Sequence, residues 1–175
     1  MQIERLEETR LTAQDEAQIA DLLTQAFGPD FGGRSYYQQR HHVRLVTRLD
    51  DAITGHMALC YRDIRIGDTL TPIAGLAEVA TDPDQRGKGI AGHLITAAIA
   101  EAKAMRAQFL ILFGDRPIYA GRGFITQPNT LTYLALDGAK TGAVATGVDD
   151  GLMVMPMAET AWDPVALVDL MGHKF

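Results

Sequence analysis

The chain has one cysteine, Cys60. It therefore forms no internal disulfide and cannot supply the several thiolates of a zinc site. His-Glu-x-x-His and Cys-x-x-Cys spacings are both absent, so no metal is expected. There is no Gly-Lys-Ser/Thr, which excludes a kinase-type phosphate loop. No apolar run approaches the ~18 residues that a membrane span needs. The opening Met1–Glu8 is charged and lacks an apolar signal core, so a cytoplasmic address is the expectation. Basic residues are outnumbered: 16 Lys+Arg stand against 22 Asp+Glu, a formal net charge of -6. That balance argues against a nucleic-acid binder, whose footprint is a strongly basic patch.

What remains is an ordinary globular composition of 175 residues, 47% hydrophobic and 22% charged. At this length one core buries roughly 70% of the unfolded chain's surface, so residues 1–175 are expected to form a single domain. Charge is unevenly spread. Residues 1–30 hold Glu4, Glu7, Glu8, Asp15, Glu16, Asp21 and Asp30 against only Arg5 and Arg10. Residues 82–122 reverse the balance, with Arg86, Lys88, Lys103, Arg106, Arg116 and Arg122 against Asp82, Asp84, Glu101 and Asp115. A locally basic, glycine-containing segment in an acidic chain suggests a site for a small anion.

Periodicity supplies the elements. Gln2–Glu8 alternates weakly, as an edge strand would. Thr12 can cap a helix with Asp15 and Glu16 in its first turn, and Ile19, Leu22, Leu23 and Phe27 on one face. Gly28-Pro29 ends it. Strands are expected at Val43–Thr47, Ile53–Arg65 and Leu70–Thr81, with turns at Asp50-Asp51 and Ile66–Thr69. A helix is expected from Gly89 to about Met105. The apolar run Phe109–Phe113 that follows reads as an interior parallel strand. Arg116–Arg122 is a short helix candidate, Leu131–Leu136 and Leu152–Met157 are strands, and Asp163–Met171 is a short helix or irregular tail. The order predicts one mixed α/β domain, with antiparallel hairpins before the central helix and a crossover after it.

The chemistry-bearing stretch is Leu76–Ala91. A strand ends, a polar turn follows, and Arg86-Gly87-Lys88-Gly89-Ile90-Ala91 opens a helix. Glycines let backbone approach a ligand closely, and the first-turn N–H groups with the helix dipole favour phosphate or pyrophosphate. Arg86 and Lys88 add positive charge. Gly87–Gly92 also satisfies the dinucleotide pattern G-x-G-x-x-G. However, five polar residues separate the strand from the first glycine, and the preceding strands read as antiparallel, unlike a dinucleotide-binding unit.

These residues resemble the GCN5-related N-acetyltransferase (GNAT) superfamily. Arg86–Ala91 matches its Arg/Gln-x-x-Gly-x-Gly/Ala pattern. Tyr119-Ala120-Gly121-Arg122-Gly123-Phe124 matches its second signature, a tyrosine shortly before a Gly-Phe pair. A narrower likeness, in Gly33–Tyr36, His56-Met57 and Val154–Pro164, is to the nodulation N-acyltransferase (NodA) branch. The resemblance implies a central mixed, mostly antiparallel sheet of about six or seven strands flanked by about four helices. It implies acetyl transfer from acetyl-CoA to an amine by direct attack. In that reading Arg86, Gly87, Lys88, Gly89, Ile90 and Ala91 bind the pyrophosphate. Val79, Ala80 and Thr81 border the pantetheine arm in a gap between the strands at Leu76–Thr81 and Phe109–Phe113. Tyr119 protonates the leaving thiolate, and Glu78 is the candidate base, directly or through water. The acceptor is a small-molecule or peptide amine of unread identity. A homodimer stays open. An acyl-CoA sensor without turnover and a longer-chain acyltransferase are the alternatives.

Several residues have plainer readings. Adjacent His41 and His42 would not share a helix face, so a two-histidine chelate is not expected. His56 lies on a strand where the resemblance puts substrate-facing residues. Arg34, beside Gly33 and Tyr36-Tyr37, is a candidate for lining the acceptor pocket. Cys60 reads as a small buried apolar residue, since direct transfer needs no acyl-enzyme.

Overall fold

The computed structural model describes residues 2–137 and 139–175. Among them are ten strands, β1 to β10, three α-helices, α1 to α3, and three short 3-10 helices. The backbone divides into two compact units. The first comprises residues 1–60 and 77–98, the second residues 61–76 and 99–175.

In the first unit β1 (Ile3–Glu7) pairs antiparallel with β2 (Val43–Leu49), which pairs antiparallel with β3 (Ala52–Ile66). The β2–β3 turn is Asp50-Asp51, both at positive φ. α1 (Ala13–Phe27) begins at a full capping box. The Thr12 hydroxyl accepts from the Asp15 N–H, and the Asp15 carboxylate accepts from the Thr12 N–H. Its apolar face, Ile19, Leu22 and Leu23, packs with Phe31, Val46, Ile53 and Ala80 into a core. Phe27, the last residue of the sequence stripe, is exposed instead, because the helix ends there and the stripe outruns the core. α2 (Ile90–Ala104) lies hard against β3. A Cβ on Gly55 would come within 2.4 Å of the Ile90 side chain and 2.7 Å of the Thr47 hydroxyl, so only glycine fits this contact.

In the second unit, which takes in the later part of β3 and the earlier part of β4, the strand order is β6-β9-β5-β4-β3-β10-β7-β8, where β4 is Thr69–Thr81, β5 Phe109–Phe113, β6 Ile125–Thr126, β7 Thr130–Asp137, β8 Lys140–Val148, β9 Leu152–Pro156 and β10 Val168–Asp169. β5 is parallel to β4, as its unbroken apolar run after a helix predicts, with Ile73 opposite Phe109 and Leu76 opposite Leu112. β9 joins β5 antiparallel. The core is Ile64, Ile73, Phe109, Ile111, Leu131, Leu152, Val154, Val168 and Leu170. Trp162 meets Phe109 edge-on at 5.0 Å between ring centres, and its indole N–H donates to Asn129 Oδ1.

The mixed, mostly antiparallel α/β architecture agrees with the sequence expectation, with more strands than foreseen. β6 and β10 are two residues long, too short to carry a period. β8 is exposed along nearly its whole length and holds Gly142 and Gly147, so no burial pattern marks it. The segment expected to be a short helix or irregular tail instead contains β10, parallel to β7 and antiparallel to β3.

Candidate functional site

In the first unit the turn after β4 is tied down by a 3-10 helix at Pro83–Gln85, capped by Asp82. The chain then passes through Arg86, Gly87, Lys88 and Gly89, all exposed, and enters α2 at buried Ile90. Gly87 and Gly89 have φ of 77° and 78°. Both positions therefore need glycine for conformation, and nothing lies within 4 Å of where a Cβ on Gly87 would sit. The first bonds of α2 reach back to Gly89, whose carbonyl accepts from the His93 N–H and from His93 Nδ1–H. The N–H groups ahead of His93 have no partner inside the helix, which is the arrangement that suits an anion. The Lys88 ammonium donates to Gln85 Oε1 at 2.8 Å, so its side chain also braces the loop. These residues fit the pyrophosphate of a CoA thioester: open backbone, left-handed glycines, a helix N-terminus and exposed Arg86.

Eight residues before Arg86, β4 carries a local backbone irregularity. Glu78 has φ of 54°, left-handed for a non-glycine residue within a strand. Its carboxylate is almost wholly buried. Oε1 accepts from the Tyr37 N–H at 2.7 Å, and Oε2 accepts from Arg44 Nη1 at 2.7 Å. His41 Nε2 stands 3.0 Å from Oε1 without the N–H alignment of a full hydrogen bond, and His41 Nδ1 has no hydrogen-bond partner. Arg44 is fully buried and is also held by Glu8 through Nε and Nη2. Glu8 is further paired with Arg40.

His56, fully buried, closes the cluster. Its Nε2 faces Arg44 Nη1 at 3.3 Å, and its Nδ1 faces the Glu78 carbonyl oxygen at 2.8 Å. Arginine only donates and a carbonyl only accepts, so the ring is neutral with its hydrogen on Nδ1. Burial, followed by the Arg44 charge, pushes the His56 pKa down to about 4. Burial alone would raise the Glu78 pKa. The contact with His41 and the charge of Arg44 outweigh it and hold the carboxyl below its ordinary value. Glu8 shows the same balance, with burial overcome by Arg44 and Arg40.

Of the other expected residues in this unit, Val79 and Thr81 are half-buried and Ala80 is buried. Arg34 donates from Nη2 to the Tyr37 carbonyl and lies over the Tyr36 ring. It thus shapes the loop whose Tyr37 N–H reaches Glu78.

In the second unit β5 runs into Gly114-Asp115 and then α3 (Pro117–Ala120). The Tyr119 ring is buried and packs on Gly114, where a Cβ would be 3.3 Å away, and meets Phe124 edge-on at 6.0 Å. This explains the Tyr–Gly–Phe spacing: the Phe124 N–H bonds back to the Tyr119 carbonyl, closing the short helix. Burial is the main cause of a raised Tyr119 pKa; Arg116 pulls it down and Asp115 pushes it up. The phenol is therefore protonated at neutral pH. A hollow of about 420 Å³ next to it is lined by Phe113, Gly114, Asp115, Asp149, Asp150 and Gly151.

The structure gathers Glu78 and His56 into one cluster and adds Arg44, Glu8, His41 and the Tyr37 N–H, which the sequence reading did not assign. One signal for Arg44 was present: a lone cation inside the apolar run Val43-Arg44-Leu45-Val46. Nothing in the sequence joins His41 to Glu78, 37 positions away. Among the described residues no group of three or more His, Cys, Asp and Glu is placed to hold a metal, and no helix is long and apolar enough to cross a membrane.

A sheet of this topology, a glycine loop opening the central helix and a buried tyrosine after β5 define an acetyltransferase-like fold. The chain belongs to the acetyltransferase (GNAT) domain family, which it matches over residues 8–126. It is 29% identical over 110 residues to nodulation protein A of Rhizobium leguminosarum bv. viciae, covering 58% of this chain and 56% of that protein. The chain thus spans about half the length of the curated relatives it matches. Among solved structures, a GNAT-family acetyltransferase of Brucella melitensis in complex with acetyl-CoA superposes with a TM-score of 0.59 at 18% identity, over 95% of this chain and 94% of the other. The GNAT-family N-acetyltransferase YhbS of Escherichia coli, in complex with CoA, gives 0.63 at 17% identity, over 96% and 88%.

Proposed function

We propose that this chain transfers an acetyl group from acetyl-CoA to an amine by direct attack, with residues 1–175 acting as one acyltransferase domain. The observation that carries the reading is the loop Arg86–Gly89, with two left-handed glycines delivering the chain into the N-terminus of α2. Family membership supports the reaction class. The CoA and acetyl-CoA complexes of proteins that share the fold support the donor.

In this reading Arg86 and the backbone from Gly87 to Ala91 bind the pyrophosphate, with Lys88 bracing the loop. Val79, Ala80 and Thr81 border the pantetheine arm, and a backbone N–H there polarises the thioester carbonyl. The amine attacks that carbonyl carbon, forming the C–N bond as the C–S bond breaks. The amine's proton is accepted at the Glu78 cluster. Tyr119, kept protonated by burial, donates its phenol proton to the leaving thiolate. Arg34 and His56 act on the acceptor side by shaping the Tyr37 loop and the Glu78 peptide.

The likeness to nodulation protein A favours a second reading, a longer acyl donor. Release of CoA thiol across a panel of amines, with acetyl-CoA and palmitoyl-CoA in competition, separates the readings. Amine-dependent thiol release from acetyl-CoA is expected. Preference for palmitoyl-CoA would replace acetyl by a long chain. Tight CoA binding without release for any amine would make the protein a sensor.

A further inference from the structure

We infer that β8 is the strand through which two copies of this chain pair, edge to edge and antiparallel. Thr146 sits on the two-fold axis, and Val144 of each copy lies opposite Val148 of the other. The surface lies wholly within the second unit and does not depend on the identity of the acyl donor.

β8 ends its sheet. Among the described residues it pairs with β7 alone, so one side of its backbone has no ladder. The bonds of β7 show which residues face outward. The Thr132 carbonyl accepts from the Leu170 N–H, and the Leu134 N–H donates to the Gly172 carbonyl, so Thr132 and Leu134 turn toward the β10 side. Leu131 and Tyr133 therefore turn toward β8, where they stand opposite Gly147 and Ala145. Gly147 and Ala145 are thus committed to β7. The N–H and C=O groups of Val144, Thr146 and Val148 point away from it.

This edge carries none of the usual protections. Ala143–Val148 contains no proline and no charged residue. The irregularity in the β7–β8 pairing lies beyond it, at Leu134/Leu136. The other sheet edges are guarded. β6 is two residues long, and β1 carries Glu4, Arg5 and Glu7. On β8, Val144 and Val148 are 72% and 61% exposed.

The outward row is also self-complementary, as a two-fold interface requires. With Thr146 opposite its own copy, Val144 meets Val148 and Val148 meets Val144. Every outward-facing residue of the stretch then meets another. These three opposed pairs exchange about six main-chain hydrogen bonds. A one-residue slip would set outward groups against groups already bonded to β7. An axis at Val144 would run the pairing into the irregular end near Gly142, and an axis at Val148 would run it past the strand. Successive alternate residues share a face, so the valines stack across the junction as β-branched pairs. Charge agrees: Lys140 opens β8 and exposed Asp150 lies just past its end. Antiparallel pairing lays the basic end of one copy beside the acidic end of the other.

A single strand pair is smaller than a standard interface, so the dimer is expected to depend on concentration. Sedimentation equilibrium of the full chain over roughly 1 μM to 1 mM is expected to show monomer and dimer in exchange. A monomer throughout overturns the pairing and leaves the edge to a strand of some other protein. Amide hydrogen exchange by NMR locates the contact. The Ala145 and Gly147 amides are expected to be protected at every concentration, while those of Val144, Thr146 and Val148 gain about tenfold or more in protection as the dimer forms. Protection of these three in the monomer would mean that the chain covers its own edge. A dimer that leaves them unchanged would use another surface. Either result overturns the proposal.

Two variants test the register. Thr146→Pro removes an outward N–H and spares the β7 ladder. Val144→Lys combined with Val148→Lys sets like charges opposite at two exposed positions. Each is expected to weaken dimerisation about tenfold or more, whereas Val144→Lys with Val148→Glu retains it. An unchanged dimer in the double-lysine variant overturns the register, as does equal loss in the lysine–glutamate variant. Should Thr146→Pro melt below wild type, the double-lysine result decides.

Discussion

Glu78 occupies a left-handed backbone conformation that costs a non-glycine residue about 1–3 kcal/mol, and its surroundings must repay that cost. The repayment is visible in His56 Nδ1–H on its carbonyl, Arg44 on one carboxylate oxygen and the Tyr37 N–H on the other. These partners impose a pH dependence. His56 is neutral in the fold, with its pKa lowered to about 4, whereas an unfolded histidine binds its proton near 6.5. Between those values the unfolded chain holds the extra proton, so stability rises with pH through the window and is lost as pH falls from about 6.5 to about 4. The shift corresponds to roughly 3 kcal/mol. Glu78, lowered in the fold, works in the same direction: its contribution is present above the ordinary carboxyl value and disappears as pH falls through the folded one. His56→Asn keeps a donor and an acceptor but cannot titrate. Its melting temperature is expected to vary less than wild type's between pH 4 and 6.5, measured by calorimetry. Tyr119 is a separate case, because its chemistry needs only the phenol hydrogen. Tyr119→Phe keeps the packing on Gly114 and Phe124, so kcat is expected to fall by ~10²-fold or more with CoA affinity unchanged. Wild-type turnover in that variant would remove Tyr119 from the acid role.

At the scale of elements, α2 does two jobs with opposite ends of one sequence pattern. Its body is small and apolar, with Leu94, Ile95, Ala98 and Ala102 fully buried, and Gly55 on β3 lets it approach. Its N-terminus is left open by a loop that only glycine can shape. Gly89→Val combines a β-branched side chain with φ of 78°, where such residues are strongly disfavoured, and puts bulk beside the first turn. CoA affinity is expected to weaken by at least tenfold in calorimetry, with melting less affected, because the position is exposed. An unaltered dissociation constant would show that the loop does not carry the pyrophosphate. The elements legible in the sequence were those with long buried faces. Thr12 and Asp15 announced the start of α1, and Phe109–Phe113 announced a parallel strand. β8 was not legible because exposed residues on both faces leave no alternation to read, and β6 and β10 because two residues define no period.

For the whole molecule, the net charge of -6 coexists with a basic run over residues 82–122. The acids near the N-terminus are not simply solvated surface. Glu8 is committed to Arg44 and Arg40, and Asp15 to Arg48 and the α1 cap. If the Arg86–Ala91 loop takes a CoA thioester, a ligand that binds only the folded chain raises apparent stability by mass action. Acetyl-CoA at 100 times its dissociation constant is expected to add about 2.7 kcal/mol, read as an increase in melting temperature that Gly89→Val diminishes. No increase at saturating acetyl-CoA would count against the donor. The same experiment with palmitoyl-CoA ranks the two donors.

The sequence by itself determined the family, the glycine loop and Tyr119, because each depends on residues close together in the chain: a turn entering a helix, and a tyrosine closing a short helix on a Gly-Phe pair. It could not determine how Glu78 is used. A carboxylate on a strand reads the same whether it is free or paired, and its neighbours Tyr37, His41, Arg44 and His56, with Glu8 held by Arg44, come from four other segments of the first unit. Only strand pairing brings them within 3 Å or so of one another, since β2 and β3 must lie in register before Arg44 can reach both Glu78 and His56. The tertiary structure therefore decided which groups near the Glu78 peptide are committed to one another.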